Sequence, residues 1–91
     1  MDATGFAQEL EKMGFDEVLT RDWPANHFVE THTHPFAVRA LVTAGELVIG
    51  CDGRTCAYRV GDVFTLEAQQ PHTERYGPQG ATYVVGRKYS T

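Results

Sequence analysis

From residue 18 onward, short runs rich in Val, Thr, Tyr and Phe alternate with turn-forming residues about every ten positions, a rhythm that belongs to strands. The runs cover residues 18–22, 27–34, 38–43, 46–51, 54–60, 63–66, 71–76 and 81–88. Pro24, Pro35, Gly45, Asp52-Gly53, Gly61-Asp62, the polar run at 69–71 and Gly77-Pro78 separate them. About eight short strands so punctuated predict an all-β sandwich, barrel or jelly roll. Asp52-Gly53 reads as a two-residue hairpin turn. That register sets Cys51 opposite Arg54 and Cys56 opposite Ile49, so the two cysteines are diagonal and no disulfide is expected. Both read as small buried hydrophobes.

Only the N-terminus has a helical period. Phe6, Leu10 and Met13 recur at i, i+4 and i+7 as a buried stripe, and Gly14 stands where a left-handed cap is wanted. The expected organisation is therefore a short helix over residues 1–15, packed on a single barrel over residues 16–91. The net charge is −4 and the eight Lys and Arg are scattered, so no basic stripe exists for a nucleic acid backbone. The N-terminal segment lacks the unbroken apolar centre of a signal peptide and no run reaches transmembrane length, which reads as a cytoplasmic chain without membrane contact.

Within the second run, "ETHTHPF" places Glu30, His32 and His34 on alternate positions. Strand alternation would point all three to one face, whereas a helix would splay the two rings about 200° apart. By the same parity His27 faces the other way and reads as a surface histidine. His72 and Glu74 form a second same-face pair on a late strand. Two histidines from one strand and one from another would build a three-nitrogen metal site if a barrel brings the strands together. Glu74 is the candidate catalytic group, as a proton-transferring base or a fourth ligand, against the plainer reading of a salt bridge to a neighbouring arginine. Glu30 reads as a rim residue orienting an imidazole. Arg39 reads as a partner for a carboxylate or a subunit contact. No nucleotide-binding loop, Ser-His-Asp order or Cys-x-x-Cys is present.

The pattern resembles the cupin superfamily, in particular its small single-domain members. His32-Thr33-His34 match the H-x-H pair of the first cupin motif, with Gly45 at its glycine and Val38 where its Glu is usual. Gly61-Asp62 open the second motif and His72 closes it, with Glu67 and Gln69 at its usual Pro and Gly. The resemblance covers roughly residues 26–86 and implies a jelly-roll barrel holding a divalent metal, Fe, Mn, Ni or Zn, on His32, His34 and His72. Because Val38 replaces a carboxylate ligand, the set resembles the three-histidine iron site of some thiol dioxygenases of the superfamily. Neutral ligands leave more positive charge on the ion and favour an anionic or bidentate substrate. The resemblance thus implies a metal-binding barrel that binds or acts on a small molecule, as a dioxygenase, isomerase or hydrolase if it is an enzyme. The alternatives are a non-catalytic ligand-binding or sensory module, and a structural barrel that has lost its metal. A homodimer is expected, since so small a barrel has exposed strand edges.

Overall fold

The structure is a computed structural model and describes residues 2–89. Asp2 caps the one helix among the described residues, α1 (Ala3–Lys12), accepting from the Gly5 amide at 2.7 Å. The helix ends in a paired backbone closure: the Gly14 amide donates to the Glu11 carbonyl and the Phe15 amide to the Leu10 carbonyl, both at 3.1 Å. Gly14 supplies the left-handed turn at φ +84°. Phe6 and Leu10 are fully buried by this arrangement. Met13 is not, and corrects the expected stripe. It is the last residue before the turn and stays 45% exposed, while Phe15, beyond the turn, packs beside Leu10 in its place.

Six antiparallel strands follow: β1 (Glu17–Trp23), β2 (Phe28–His32), β3 (Phe36–Cys51), β4 (Arg54–Arg59), β5 (Val63–Leu66) and β6 (His72–Tyr89). They pair in the order β1-β6-β3-β4, with β2 also on β6 and β5 also on β3. Eight runs have become six strands because two of the anticipated breaks are corners inside continuous strands. In β3 the register to β6 shifts around Thr43 and Glu46, and β6 passes residues 77–80 without a matching partner there. Gly45 and Gly80 both sit at φ +70°, and a Cβ on Gly45 would lie 2.0 Å from the Gly80 carbonyl oxygen. The sheet folds over itself at this point, and only glycine permits the backbones to approach so closely.

Alternation along the long strands sorts the core into two. Val38, Ala40 and Val42 of β3 and Tyr83 and Val85 of β6 face the barrel interior with Leu47, Ile49, Phe64, Leu66 and Tyr76. Leu41 and Val84 face outward and are covered by Phe6 and Leu10 of α1. The β3–β4 hairpin has the expected register, Ile49 opposite Cys56 and Cys51 opposite Arg54, across a turn with Asp52 at φ +53° and Gly53 at φ +74°. Both cysteines are free. They are not buried hydrophobes, however: Cys56 is exposed and Cys51 half-buried, Cys56 lying on β4, the strand that ends the sheet path and is exposed along nearly its whole length.

Candidate metal centre

His32 ends β2 and His72 begins β6, and the two are direct partners in the antiparallel register. Pairing alone therefore brings their imidazoles together, with ring centroids 4.2 Å apart. His34 lies just past the end of β2, its ring stacked on Phe36 at 4.5 Å and 4.8 Å from His72. One nitrogen from each of His32, His34 and His72 falls in a group whose members all lie within 4.8 Å of one another.

Two of the rings have defined tautomers. His32 Nδ1 donates to the Glu30 carbonyl at 2.8 Å and His72 Nδ1 to the Gln70 carbonyl at 2.9 Å. A carbonyl only accepts, so both Nδ1 atoms carry protons and both Nε2 atoms are aimed at the centre. Facing them is Glu74, whose Oε2 is 3.1 Å from His32 Nε2 and 3.4 Å from His72 Nε2. Its other oxygen accepts from the Tyr76 hydroxyl. That hydroxyl lies 3.4 Å from the Tyr83 hydroxyl, which in turn accepts from Trp23 Nε1 at 2.9 Å. Glu74 is thus held from behind and presents one oxygen to the imidazoles. It takes the histidines rather than an arginine as its partners, the reverse of the plain salt-bridge reading.

Buried Nδ1 of His34 has no hydrogen-bond partner among the described residues, and the equally buried Nε2 of His72 meets only the Glu74 carboxylate, at 3.4 Å. Imidazole nitrogens within 4.8 Å of one another, one of them buried without a partner, beside a carboxylate fit a divalent cation of the borderline class that imidazole serves. The charge pattern agrees. Burial and the neighbouring His72 lower the pKa of His34 and favour its neutral, ligating form. Burial acts against a charge on His72, but the Glu74 carboxylate and the Gln70 carbonyl outweigh it and raise its pKa above 6.5. Burial likewise acts to raise Glu74, yet hydrogen bonds from His72 and Tyr76 hold it below the usual 4.5.

These directions set a pH signature. His72 contributes stability that is complete below pH 6.5 and disappears as pH rises through its higher folded value; Glu74 contributes stability above pH 4.5 that is lost as pH falls through its lower one. In chelator, the thermal midpoint of the protein relative to His72→Gln is expected to fall from about pH 6 to about pH 9. With excess Zn²⁺ the trend should reverse, since metal binding requires Nε2 without its proton. The same difference at every pH, with and without zinc, would remove the His72–Glu74 pairing from the account.

The alternation expected of "ETHTHPF" is broken. The β2–β6 register shifts between Val29 and His32, so Val29 and His32 both face the cavity while Glu30 is exposed. Glu30 does orient His32, but through its main-chain carbonyl and not its carboxylate. His27 is also displaced from its expected surface position: half-buried, its ring stacks on Trp23 at 5.3 Å and lies 6.3 Å from Tyr76, outside the histidine cluster. Arg39 pairs with Glu9 of α1 at 3.6 Å, as one of its two expected roles required.

The centre opens on a cavity of about 290 Å³ lined by His32, His34 and Glu74 and walled by Val38, Phe64 and Leu66. Val38 faces the cavity as anticipated for the residue in place of the usual carboxylate; His72 is 1% exposed and contributes nothing to the lining. Sequence reasoning missed Tyr76 and Tyr83 as supports of Glu74, although both lie on its inward row of β6. It also missed Arg21 and Arg87, which line the cavity from strand positions where apolar residues are usual.

A small antiparallel jelly roll with imidazoles gathered on its inner cavity is a cupin barrel, and solved structures of that class share the fold. They include a protein of unknown function from Rhizobium leguminosarum (TM-score 0.76, 18% identity, 80% of this chain and 69% of that one) and a cupin superfamily protein from Desulfitobacterium hafniense (0.67, 16%, 84% and 81%). An RmlC-like cupin from Shewanella frigidimarina superposes at 0.66, with 17% identity over 77% of this chain and 63% of that one. Within the class, the chain belongs to the family described as the AraC-like ligand binding domain, whose model matches residues 15–85. No curated protein matches the chain at a significant level.

Proposed function

We propose that this protein binds a small molecule in the barrel cavity against a divalent metal held by His32, His34 and His72. The observation that carries this reading is the clustering of one nitrogen from each of three imidazoles within 4.8 Å, His34 Nδ1 buried without a partner and His32 and His72 both facing the carboxylate of Glu74. The family to which the chain belongs is one of ligand-binding domains, which supports a small-molecule occupant. A metal there supplies Lewis-acid polarisation of a bound ligand oxygen. The Glu30 and Gln70 carbonyls keep the Nδ1 protons in place and so keep two Nε2 lone pairs available. Val38, Phe64 and Leu66 exclude water from one side of the ligand.

A second reading adds turnover, and Glu74 favours it. Oε2 is placed beside the centre while Oε1 is fixed by Tyr76, so the carboxylate can take a proton from a bound ligand and return it without moving. Ionised Glu74 is the base; its depressed pKa means that it starts in that form at neutral pH. The test is metal analysis of protein purified without added metal or chelator, followed by ligand screening. About one equivalent of Fe, Mn, Ni or Zn, lost in His32→Ala, supports the metal reading; metal-free protein that takes up none of these ions ends it. Turnover abolished by Glu74→Gln with metal retained would then separate an enzyme from a sensory module.

The barrel and its helix act as one unit in this reading, as a homodimer without membrane or nucleic acid partners. Among the described residues no helix is long and apolar enough to cross a membrane. Strand β4 is the end of the sheet path and five of its six residues are exposed, which suits pairing with a second copy. Sedimentation at about 50 µM is expected to give twice the monomer mass, and a monomer at that concentration rejects the dimer.

A further inference from the structure

Arg21 of β1 and Arg87 of β6 line the same cavity as the histidines. Strand alternation puts Arg21 on the row of Leu19 and Trp23, which packs against the barrel core, and Arg87 on the row of Tyr83 and Val85, which belongs to it. A guanidinium on a core-facing row is costly unless something negative meets it. Among the described residues neither has an ion-pair partner: the arginine ion pairs use Arg39 and Arg59. Glu17, opposite Arg87 in register, accepts instead from the Tyr89 hydroxyl at 2.7 Å, and Asp22, beside Arg21 in sequence, accepts from Thr82 at 2.8 Å. Each guanidinium instead lies over an aromatic ring, Arg21 over Trp23 at 4.8 Å and Arg87 over Phe36 at 4.7 Å. Such stacking steadies the planar fork without neutralising its charge.

Glu74 is the one acidic residue in the lining, and Tyr76, His32 and His72 already engage it. The cavity therefore carries two cations without a counter-charge, set against apolar walls. Its volume, about 290 Å³, is at the small end for ligand sites. The geometry points to a small organic acid as the ligand, its carboxylate taken by Arg21 and Arg87 and its apolar body lying along Val38, Phe64 and Leu66. This rests on the reading of the cavity as the ligand site, but not on the metal.

The test compares benzoate with benzamide, equal in shape and different in charge, by calorimetric titration of the whole protein in metal-free and zinc-loaded forms. Benzoate is expected to bind at least about tenfold more tightly than benzamide in both forms, and Arg21→Gln/Arg87→Gln to cut that ratio at least about fivefold while the zinc content is unchanged. If the double variant does not fold, Arg21→Lys and Arg87→Lys keep the charge and lose the fork, and each should lower the ratio about threefold. Equal affinity of the two probes, absence of benzoate binding, or a ratio untouched by the arginine substitutions overturns the proposal. A preference confined to zinc-loaded protein and kept in the double variant assigns the anion to the metal, so the arginine site fails while the metal reading stands. A preference that depends on the arginines in protein unable to bind any metal has the opposite meaning.

Discussion

His72→Ala is expected to lower divalent metal affinity by more than about 100-fold while leaving a folded barrel, and His32→Ala to do the same. Each removes one of three imidazole nitrogens that lie within 4.8 Å of one another. The effect should be largest for His72, which is 1% exposed and whose Nδ1 is fixed by the Gln70 carbonyl. His27→Ala is the control. Its ring belongs to the Trp23–Tyr76 stack, so it should retain full metal content and lose only about 1 kcal/mol of stability. Metal content by mass spectrometry and affinity by competition with a chelating dye would measure both. Loss of metal in His27→Ala equal to that in His72→Ala would place the centre elsewhere in the barrel.

Gly45→Ala is expected to cost more than about 3 kcal/mol and to leave little folded protein at 37 °C. Two penalties combine: an alanine would adopt φ +70°, and its Cβ would stand 2.0 Å from the Gly80 carbonyl oxygen and 2.9 Å from the Ala81 Cα. Gly53→Ala separates them. That residue has nearly the same dihedral, φ +74°, but a Cβ there meets nothing within 4 Å, so only the backbone strain of about 1–2 kcal/mol should appear. Urea unfolding of the two variants gives the difference directly. Equal losses would mean that the corner between β3 and β6 can relax, and that close packing of the two glycines does not hold it.

Much of the site could be read before folding because its elements are local. The hairpin at Asp52-Gly53 needs only two residues with positive φ, and its register then follows by counting. The candidate metal ligands were legible as residue types, two near the end of one strand and one at the start of another. What failed was counting across an irregularity. Parity carried Glu30 inward and His27 outward, and a single register shift between Val29 and His32 undid both. A bulge costs one ladder position and leaves no residue type behind as its mark, so alternation cannot reveal it. Met13 failed for a related reason: a periodic stripe has no end until a turn ends it, and the turn at Gly14 comes directly after Met13.

The amino-acid order alone determined the strand rhythm, the capped amphipathic helix, the hairpin register and the histidines available for a metal, because each depends on dihedral preference or on spacing along the chain. Tertiary structure alone decided which groups complete the centre. Glu74 meets His32 because β2 and β6 pair antiparallel with His32 opposite His72, a contact between residues forty positions apart that no local preference encodes. It also decided that the breaks read at Gly45 and at Gly77-Pro78 would instead be corners inside continuous strands, and that two arginines would line the cavity. Turning a strand corner depends on what the next layer leaves room for, and that is known only once the layers are packed.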